Sequence, residues 1–544
     1  MKVIIDNDYG WKYIRVGKYN VQYIGNYKYL KTLIKSIVAL GSNPSHEKID
    51  NILSRLTMPT AVIIESVDVV IAFTDYFRSY PLFYSNYKNG FISNSARKIN
   101  ELIGGGEWDR LSSRELIMTG YVTGSKTLIK GLNQLQSGER MIVNISNGCI
   151  DISRYYRYQS IDINESRGDS DWVDELDEVM NNVTKRMIKH SNGRRIQVPL
   201  SAGLDSRLIV CKLHEAGYDN LQTFSYGSPN NWESRGAKMV ANRLNIKWKS
   251  ITTDRKEARR MFWSEDRKKY WKFADGLSAL PNFQEYYPIL NMNRNKDLSE
   301  DDIIINGQSG DFISGGHLPI ELTNNGANIQ SLTNIILNKH YALWKNLMNE
   351  ETLKIFEKKI IKLMGVNTSL KLTSSQLLSL YEQWECEERQ SKWVIHGQRV
   401  YDYFGYDWHL PLWDIELVRF FQRVPYHLKF EQRLYKLWLQ RWNYKELFVD
   451  FDPIVWQWPG LKLSVVPMAK VTQLLFGNNA KKSFYELLYY WGHTSEQYAP
   501  YAYSEYLKNI KYIRNSISMN GYTWAKENSL PLELDDFGEN FYKI

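Results

Sequence analysis

Apolar residues follow different periods in different parts of the chain. Between residues 61 and 93 they fall in short β-branched and aromatic runs: Ala61-Val62-Ile63-Ile64-Glu65, Val69-Val70-Ile71-Ala72-Phe73 and Tyr80-Pro81-Leu82-Phe83-Tyr84. Ser66-Val67-Asp68 separates the first two, a spacing that predicts paired strands joined tightly without glycine. Asn89-Gly90 followed by Phe91-Ile92-Ser93 predicts a hairpin. Past about residue 165 the period turns helical, with Val173, Leu176, Val179 and Met180 predicting a helix over 172–188 and a boundary near 155–170.

The next stretch alternates. Ile196-Gln197-Val198-Pro199-Leu200 reads as a strand, Ser201 to Ser206 as a small-residue loop, and Leu208 to Ala216 as a helix stopped by Gly217. Strands at 221–226, 246–251 and 302–306 follow, with Ala237, Val240, Ala241 and Leu244 marking another helix. Strands separated by helices predict a parallel α/β sheet. Beyond about residue 330 the pattern is mostly helical and rich in Trp and Tyr.

Composition narrows the class. The 544 residues are 43% hydrophobic and 24% charged, enough apolar mass for two to four domains and too much for a disordered chain. Three scattered cysteines, Cys149, Cys211 and Cys386, predict neither a disulfide framework nor a zinc cage. Asp6 comes too early for a signal peptide, and no apolar run reaches the length of a membrane span. A soluble cytoplasmic protein without membrane insertion is expected, compatible with a homo-oligomer. The net charge of +9 suits anionic partners without calling for nucleic acid. Its densest basic stretch, Arg255 to Lys272 with interleaved Phe262, Trp263, Tyr270 and Trp271, predicts a solvated amphipathic helix. The sharper alternative is a seat for a phosphorylated or nucleotide-linked substrate.

Two strand-end loops carry the chemistry. Ser201-Ala202-Gly203-Leu204-Asp205-Ser206 offers small residues that let backbone amides approach an anion, and two hydroxyl donors. Asp205 would repel phosphate, so its natural role is to hold Mg²⁺ that bridges phosphates. Asn306-Gly307-Gln308-Ser309-Gly310-Asp311 again follows an Ile-rich strand with glycines and one carboxylate. Ligands of open parallel sheets sit beyond the strands' carboxyl ends, so the two loops predict a two-carboxylate Mg²⁺ site around a nucleotide. Gly120 to Thr127 mimics a P-loop, but three residues rather than four separate its glycines, so Lys126 would miss a β/γ-phosphate.

The Ser-x-Gly-x-Asp-Ser loop resembles the pyrophosphate loop of N-type ATP pyrophosphatases. Together with Gly307 to His317 it is similar to the asparagine synthetase family. His409-Leu410-Pro411-Leu412-Trp413-Asp414 resembles that family's Arg-Val-Pro-Phe-Leu-Asp, and Tyr435-Lys436-Leu437-Trp438 falls where it carries an active-site lysine. Asp75 to Tyr84, Gly120-Tyr121-Val122, Thr127-Leu128, Gly131 and Gln136-Ser137-Gly138 are similar to its glutaminase domain. The resemblance spans roughly residues 60–440 in the family's order. It implies an α/β chain: an Ntn-like β-rich sandwich over 1–160, then over 165–544 a doubly wound parallel-sheet ATP-dependent synthetase with a helical carboxy-terminal part.

The resemblance also implies site roles. Asp205 and Asp311 would bind Mg²⁺, and Ser201, Gly203 and Ser206 the pyrophosphate of ATP. Pro199, Tyr226, Asn306 and Gly307 would flank the nucleoside, and Lys436 would stabilise charge developing on the phosphates. The chain departs from the family at informative places. Glutamine-dependent members need cysteine directly after Met1; Lys2 stands there, and lysine does not replace that nucleophile, so a silent amino-terminal domain is predicted. Gln308 replaces a glutamate able to take a proton from the attacking amine, leaving Gln308 to orient it or another group to act as base. Phe312, His317 and Ala202 depart as well. The expected function is an AMP- and pyrophosphate-forming amide ligase that joins a metabolite or sugar-linked carboxylate, such as a uronic acid, to ammonia or an amine. The rivals are a lasso-type peptide cyclase and a nucleotide-binding pseudo-enzyme acting as an assembly partner.

Overall fold

The two β-branched runs pair antiparallel, with Ala61 opposite Thr74 and Glu65 opposite Val70. Their glycine-free connection is closed by a serine. The Ser66 hydroxyl accepts from the amides of Asp68 and Val69 at 3.3 and 3.2 Å, and the Ser66 amide donates to the Val69 carbonyl at 2.9 Å. The computed structural model describes residues 1–6, 10–85, 90–161, 167–229, 231–367, 369–449, 459–491 and 495–531. Asn89 of the predicted hairpin turn lies outside them, as do residues 162–166 near the predicted boundary.

The strands up to residue 154 are β1 (Lys2–Ile4), β2 (Lys12–Val16), β3 (Tyr19–Ile24), β4 (Ala61–Glu65), β5 (Val69–Thr74), β6 (Phe83–Ser85), β7 (Phe91–Ser93), β8 (Leu132–Gln134), β9 (Glu139–Asn144) and β10 (Ile150–Arg154). They form a six-stranded sheet, β10-β9-β5-β4-β3-β2, and a four-stranded sheet, β1-β7-β6-β8. Central strands β4 and β5 are buried on both faces, which is why their sequence is a continuous apolar run and not an alternating one. Lys2 sits exposed on β1, its amide donating to the Gly90 carbonyl at 2.8 Å.

The second part is a parallel sheet of β11 (Ile196–Pro199), β12 (Leu221–Gly227), β13 (Lys247–Thr252), β14 (Ile303–Ile305) and β15 (Asp407–His409), in the order β13-β12-β11-β14-β15. Ile303 and Ile305 join one apolar cluster with Ile196, Val198 and Val240, while Ile304 joins the other, so both faces are covered. The helix expected to begin at Leu208 begins at Leu204, and Asp205 lies in its first turn, where a carboxylate favours the helix N-terminus. Strand β15 was not expected; three residues leave no period to read. Most of the remaining chain is helical, and among the described residues no helix is long and apolar enough to cross a membrane.

A widened, π-type helical stretch at Glu385–Val394 continues the helix Ser374–Trp384 and buries a row of charges. The Gly124 amide donates to Glu388 Oε2 at 2.9 Å, and Lys392 Nζ donates to the Gly124 carbonyl at 2.7 Å. Glu387 pairs with Arg154 and Arg157 at 2.7 and 3.1 Å. The glycines of the P-loop mimic serve close packing. A Cβ on Gly120, at φ +90°, would lie 2.7 Å from the Trp393 ring.

Asp275 supplies a second tie. Its buried carboxylate accepts from Arg97 Nε at 3.0 Å, from the Trp524 indole at 3.1 Å and from the Leu277 amide at 3.0 Å, joining three distant parts of the chain. Asp275→Ala removes the acceptor of the indole and leaves the guanidinium with Asn528 Oδ1, at 2.7 Å. It is expected to destabilise the fold by about 3 kcal/mol, read as a lowered urea midpoint with unchanged secondary structure by circular dichroism.

Candidate active site

Strands β11 and β14 are neighbours in the centre of the parallel sheet, and the chain leaves them for opposite edges. Such a reversal opens a crevice beyond the strands' carboxyl ends. The residues after β11 and β14 are the two loops singled out by sequence, and they meet there. A Cβ on Gly307 would lie 2.7 Å from the Ser206 amide nitrogen, and one on Gly310 would lie 2.4 Å from the Asp205 carboxyl carbon. Glycine at both positions is what lets the loops close on each other. Ser309 between them takes a left-handed conformation, φ +71°, and its hydroxyl donates to Gln390 Oε1 at 2.8 Å.

The first loop is fixed by its own hydroxyls. Ser206 Oγ accepts from the Ser201 amide at 3.0 Å and lies 3.0 Å from Ser201 Oγ, which accepts from the Gly203 amide at 3.1 Å. A cavity of about 430 Å³ opens over both loops, lined by Pro199, Ser201, Gly203, Asp205, Ser206, Tyr226, Asn306, Gly307, Gln308 and Asp311. All predicted nucleotide- and metal-binding positions thus face one space. Glu285 lines it as well, and no sequence motif marked it. Buried, it accepts from Tyr401 at 2.7 Å and from Tyr226 and Asn306 at 3.3 Å, and burial raises its carboxyl above the usual range.

The two aspartates differ. Burial, and next the charge of Asp311, push the Asp205 carboxyl up to about 7, against a hydrogen bond from the Tyr435 hydroxyl at 3.0 Å. Burial also raises Asp311, but His317 overrides it: Nε2 donates to Asp311 Oδ2 at 2.9 Å and Nδ1 donates to buried Glu385, so Asp311 stays below the usual range. Burial disfavours the imidazolium, yet the two carboxylates lift His317 to about 9. One carboxylate therefore holds a proton near neutrality while the other is charged.

These groups fit Mg²⁺. Among the described residues no cluster of three or more metal-ligating side chains occurs, and Mg²⁺ sites on phosphates use one or two carboxylates with the remaining ligands from phosphate and water.

Lys436 does not line this cavity. The helix Arg433–Trp442 presents Tyr435 to Asp205, and the next residue projects about 100° further round. Lys436 is exposed and lines a neighbouring cleft with His317, Lys339 and His427. Gln308 does reach the site; its Oε1 accepts from Gln398 Nε2 at 2.6 Å, so its amide is already oriented. A second cavity, of about 360 Å³, shares Tyr226, Glu233, Asn282, Gln284 and Gln308 with the first. Its far side comes from Gln497, Ser516, Ile517 and Asn520.

Most cations of the basic stretch at 255–272 have partners within the protein. Arg255 donates to the Tyr490 carbonyl at 2.9 Å, Arg259 to that of Tyr501 at 2.7 Å, and Arg267 pairs with Glu527 at 2.6 Å. Arg260, Lys268 and Lys269 pair with acids on their own helices. Arg255, Arg259 and Arg267 thus tie this stretch to the carboxy-terminal helices.

Residues 177–447 match a protein family described as asparagine synthase. No curated protein matches the chain. Two solved structures are similar in part. One, described as the allosteric regulatory enzyme of purine biosynthesis, shares 12% identity over 55% of this chain and 58% of that one, with a TM-score of 0.18. The other, a glutamine phosphoribosylpyrophosphate amidotransferase from B. subtilis complexed with ADP and GMP, shares 13% over 54% and 62%, with a TM-score of 0.16. The chain thus spans about three fifths of the length of each.

The raised Asp205 carboxyl makes stability pH-dependent. The folded chain keeps this proton to about pH 7, whereas the unfolded chain releases it near about pH 4. The folded state binds more protons in that window, so stability falls as the pH rises through it. Asp205→Asn is expected to flatten that slope in thermal melts. Mg²⁺ added at pH 8 is expected to stabilise the parent protein and not the variant.

Proposed function

Residues 177–447 belong to the asparagine synthase family, and on that premise we propose that the chain is an ATP-dependent, AMP- and pyrophosphate-forming amide ligase. The observation that carries the reading is the convergence of two glycine-containing loops, each with one carboxylate, in one cavity where the strand order reverses. Ser201, Gly203 and Ser206 hold the pyrophosphate end of ATP, and Pro199, Tyr226, Asn306 and Gly307 flank the nucleoside. Asp205 and Asp311 hold Mg²⁺, which when bound offsets phosphate charge. Lys436 is left out of this set.

The acyl substrate is seated in the adjoining cavity, its reacting carboxylate directed past Gln308 toward the nucleotide. Carboxylate oxygen attacks the α-phosphate and pyrophosphate leaves; an amine nitrogen then attacks the acyl carbon, AMP leaves, and the amine gives up a proton. Gln308 cannot take that proton. Glu233, the carboxylate that lines both cavities, is assigned to it. Asn, Gln and aromatic side chains lining the second cavity suit a polyhydroxylated metabolite such as a uronic acid. The two amino-terminal sheets are read as the family's Ntn-like sandwich in a silent form, since Lys2 offers no thiol.

Pyrophosphate exchange into ATP, screened over candidate carboxylates, tests the reading. Exchange is expected with a cognate carboxylate and is expected to fall roughly 100-fold or more in Asp205→Ala. ATP binding without exchange for any carboxylate would leave a nucleotide-binding assembly partner instead. Glu233→Gln is expected to keep exchange while amide formation drops about 100-fold or more. The purified protein is expected to release no glutamate from glutamine.

A further inference from the structure

The helix Pro459–Tyr489 is broken at Gly477, where φ +84° and ψ −179° turn the backbone out of helical geometry. Just before the bend, Leu474, Leu475 and Phe476 are 84%, 68% and 73% exposed. Val471 and Met468, one and two turns earlier on the side of Leu475, are also more than half exposed. Large apolar side chains scattered singly on a surface need no explanation; five together at the end of one helix do.

Charge gives the patch its partner. From Pro453 to Tyr485 the sequence has no aspartate or glutamate, and it has Lys462, Lys470, Lys481 and Lys482. Elsewhere acids are frequent, 60 in 544 residues. Lys470 and Lys482 are exposed on either side of the bend, and Lys481 Nζ donates across it to Gln473 Oε1 at 2.8 Å. The far arm is anchored to the body. Arg255 donates to the Tyr490 carbonyl at 2.9 Å and stacks 4.2 Å from the Tyr490 ring, and the Tyr506 hydroxyl donates to the Glu486 carbonyl. The bend is thus an apolar point ringed by cations on a fixed stem.

We propose that this bend is a peripheral attachment site for an anionic lipid surface, with Leu474, Leu475 and Phe476 seated among the headgroups and the lysines paired with anionic lipid. A second copy of the chain suits it less well. A two-fold contact would bring the same lysines together without an acid in the segment to pair them, and a point of five side chains lacks the area of a stable dimer. Attachment at the interface needs no spanning helix.

Co-sedimentation of the full chain with lipid vesicles tests the site. The protein is expected to bind vesicles of mixed phosphatidylcholine and phosphatidylglycerol, to bind phosphatidylcholine vesicles poorly, and to be released by salt. Lys470→Ala with Lys482→Ala is expected to weaken binding roughly 10-fold or more, and Leu474→Asp with Phe476→Asp to abolish it. Both variants are expected to keep the parent melting temperature and pyrophosphate exchange; should the aspartate variant misfold, the lysine variant decides. Equal binding to neutral and anionic vesicles, or none, overturns the proposal. So does a concentration-dependent dimer in sedimentation velocity that the same substitutions dissolve.

Discussion

Buried charge on the π-type stretch 385–394 holds the molecule to one arrangement. Glu388 and Lys392 grip the Gly124 backbone, Glu387 holds Arg154 and Arg157, Gln390 holds Ser309, and Glu385 holds His317. A charge that is out of water must be paired, and here each pairing fixes the position of a distant segment. The wide helical turn lets consecutive residues face different partners, which is a recurrent use of π-type geometry beside functional sites. The loop bearing Gln308, Ser309 and Asp311 is therefore positioned by the same ten residues that clasp the amino-terminal sheets. Those sheets thus have a structural role in positioning that loop.

The aspartates show the same economy of placement. Two carboxylates in one crevice cannot both be charged cheaply, and the chain resolves this by giving one a histidine and the other a proton. His317, which departs from the family pattern, thus sets a ready-made asymmetry between two residues of identical chemistry. Tyr435 adds a donor to the protonated partner, from the helix that sequence comparison had marked for a lysine one residue later.

Much of the crevice was legible because its signals are local. Small residues and a carboxylate directly after an Ile- or Val-rich run are visible in a few positions, and the sheet then brings both loops together. The β-branched runs at 61–73 and the parallel alternation at 196–305 were legible for the same reason. What stayed hidden depends on distant contacts. Glu285 lies in no motif and acquires meaning only beneath Tyr226, Tyr401 and Asn306. Strand β15 is three residues long, and the basic stretch at 255–272 looks like a solvated face until its arginines meet carbonyls from residues 490–501. Tyr435 faces Asp205 while Lys436 lines a neighbouring cleft, because a helix turns about 100° per residue and adjacency in sequence does not say which side chain faces a given space.

The second cavity takes its outer wall from residues 497–520, separated in sequence from every loop that touches the nucleotide space. The wall is attached through arginines on another helix pair, not through the crevice itself. On the proposed function, recognition and activation would fall to separately replaceable pieces of chain. A lineage that drifted only in its last hundred residues would acquire new clients while keeping its chemistry intact.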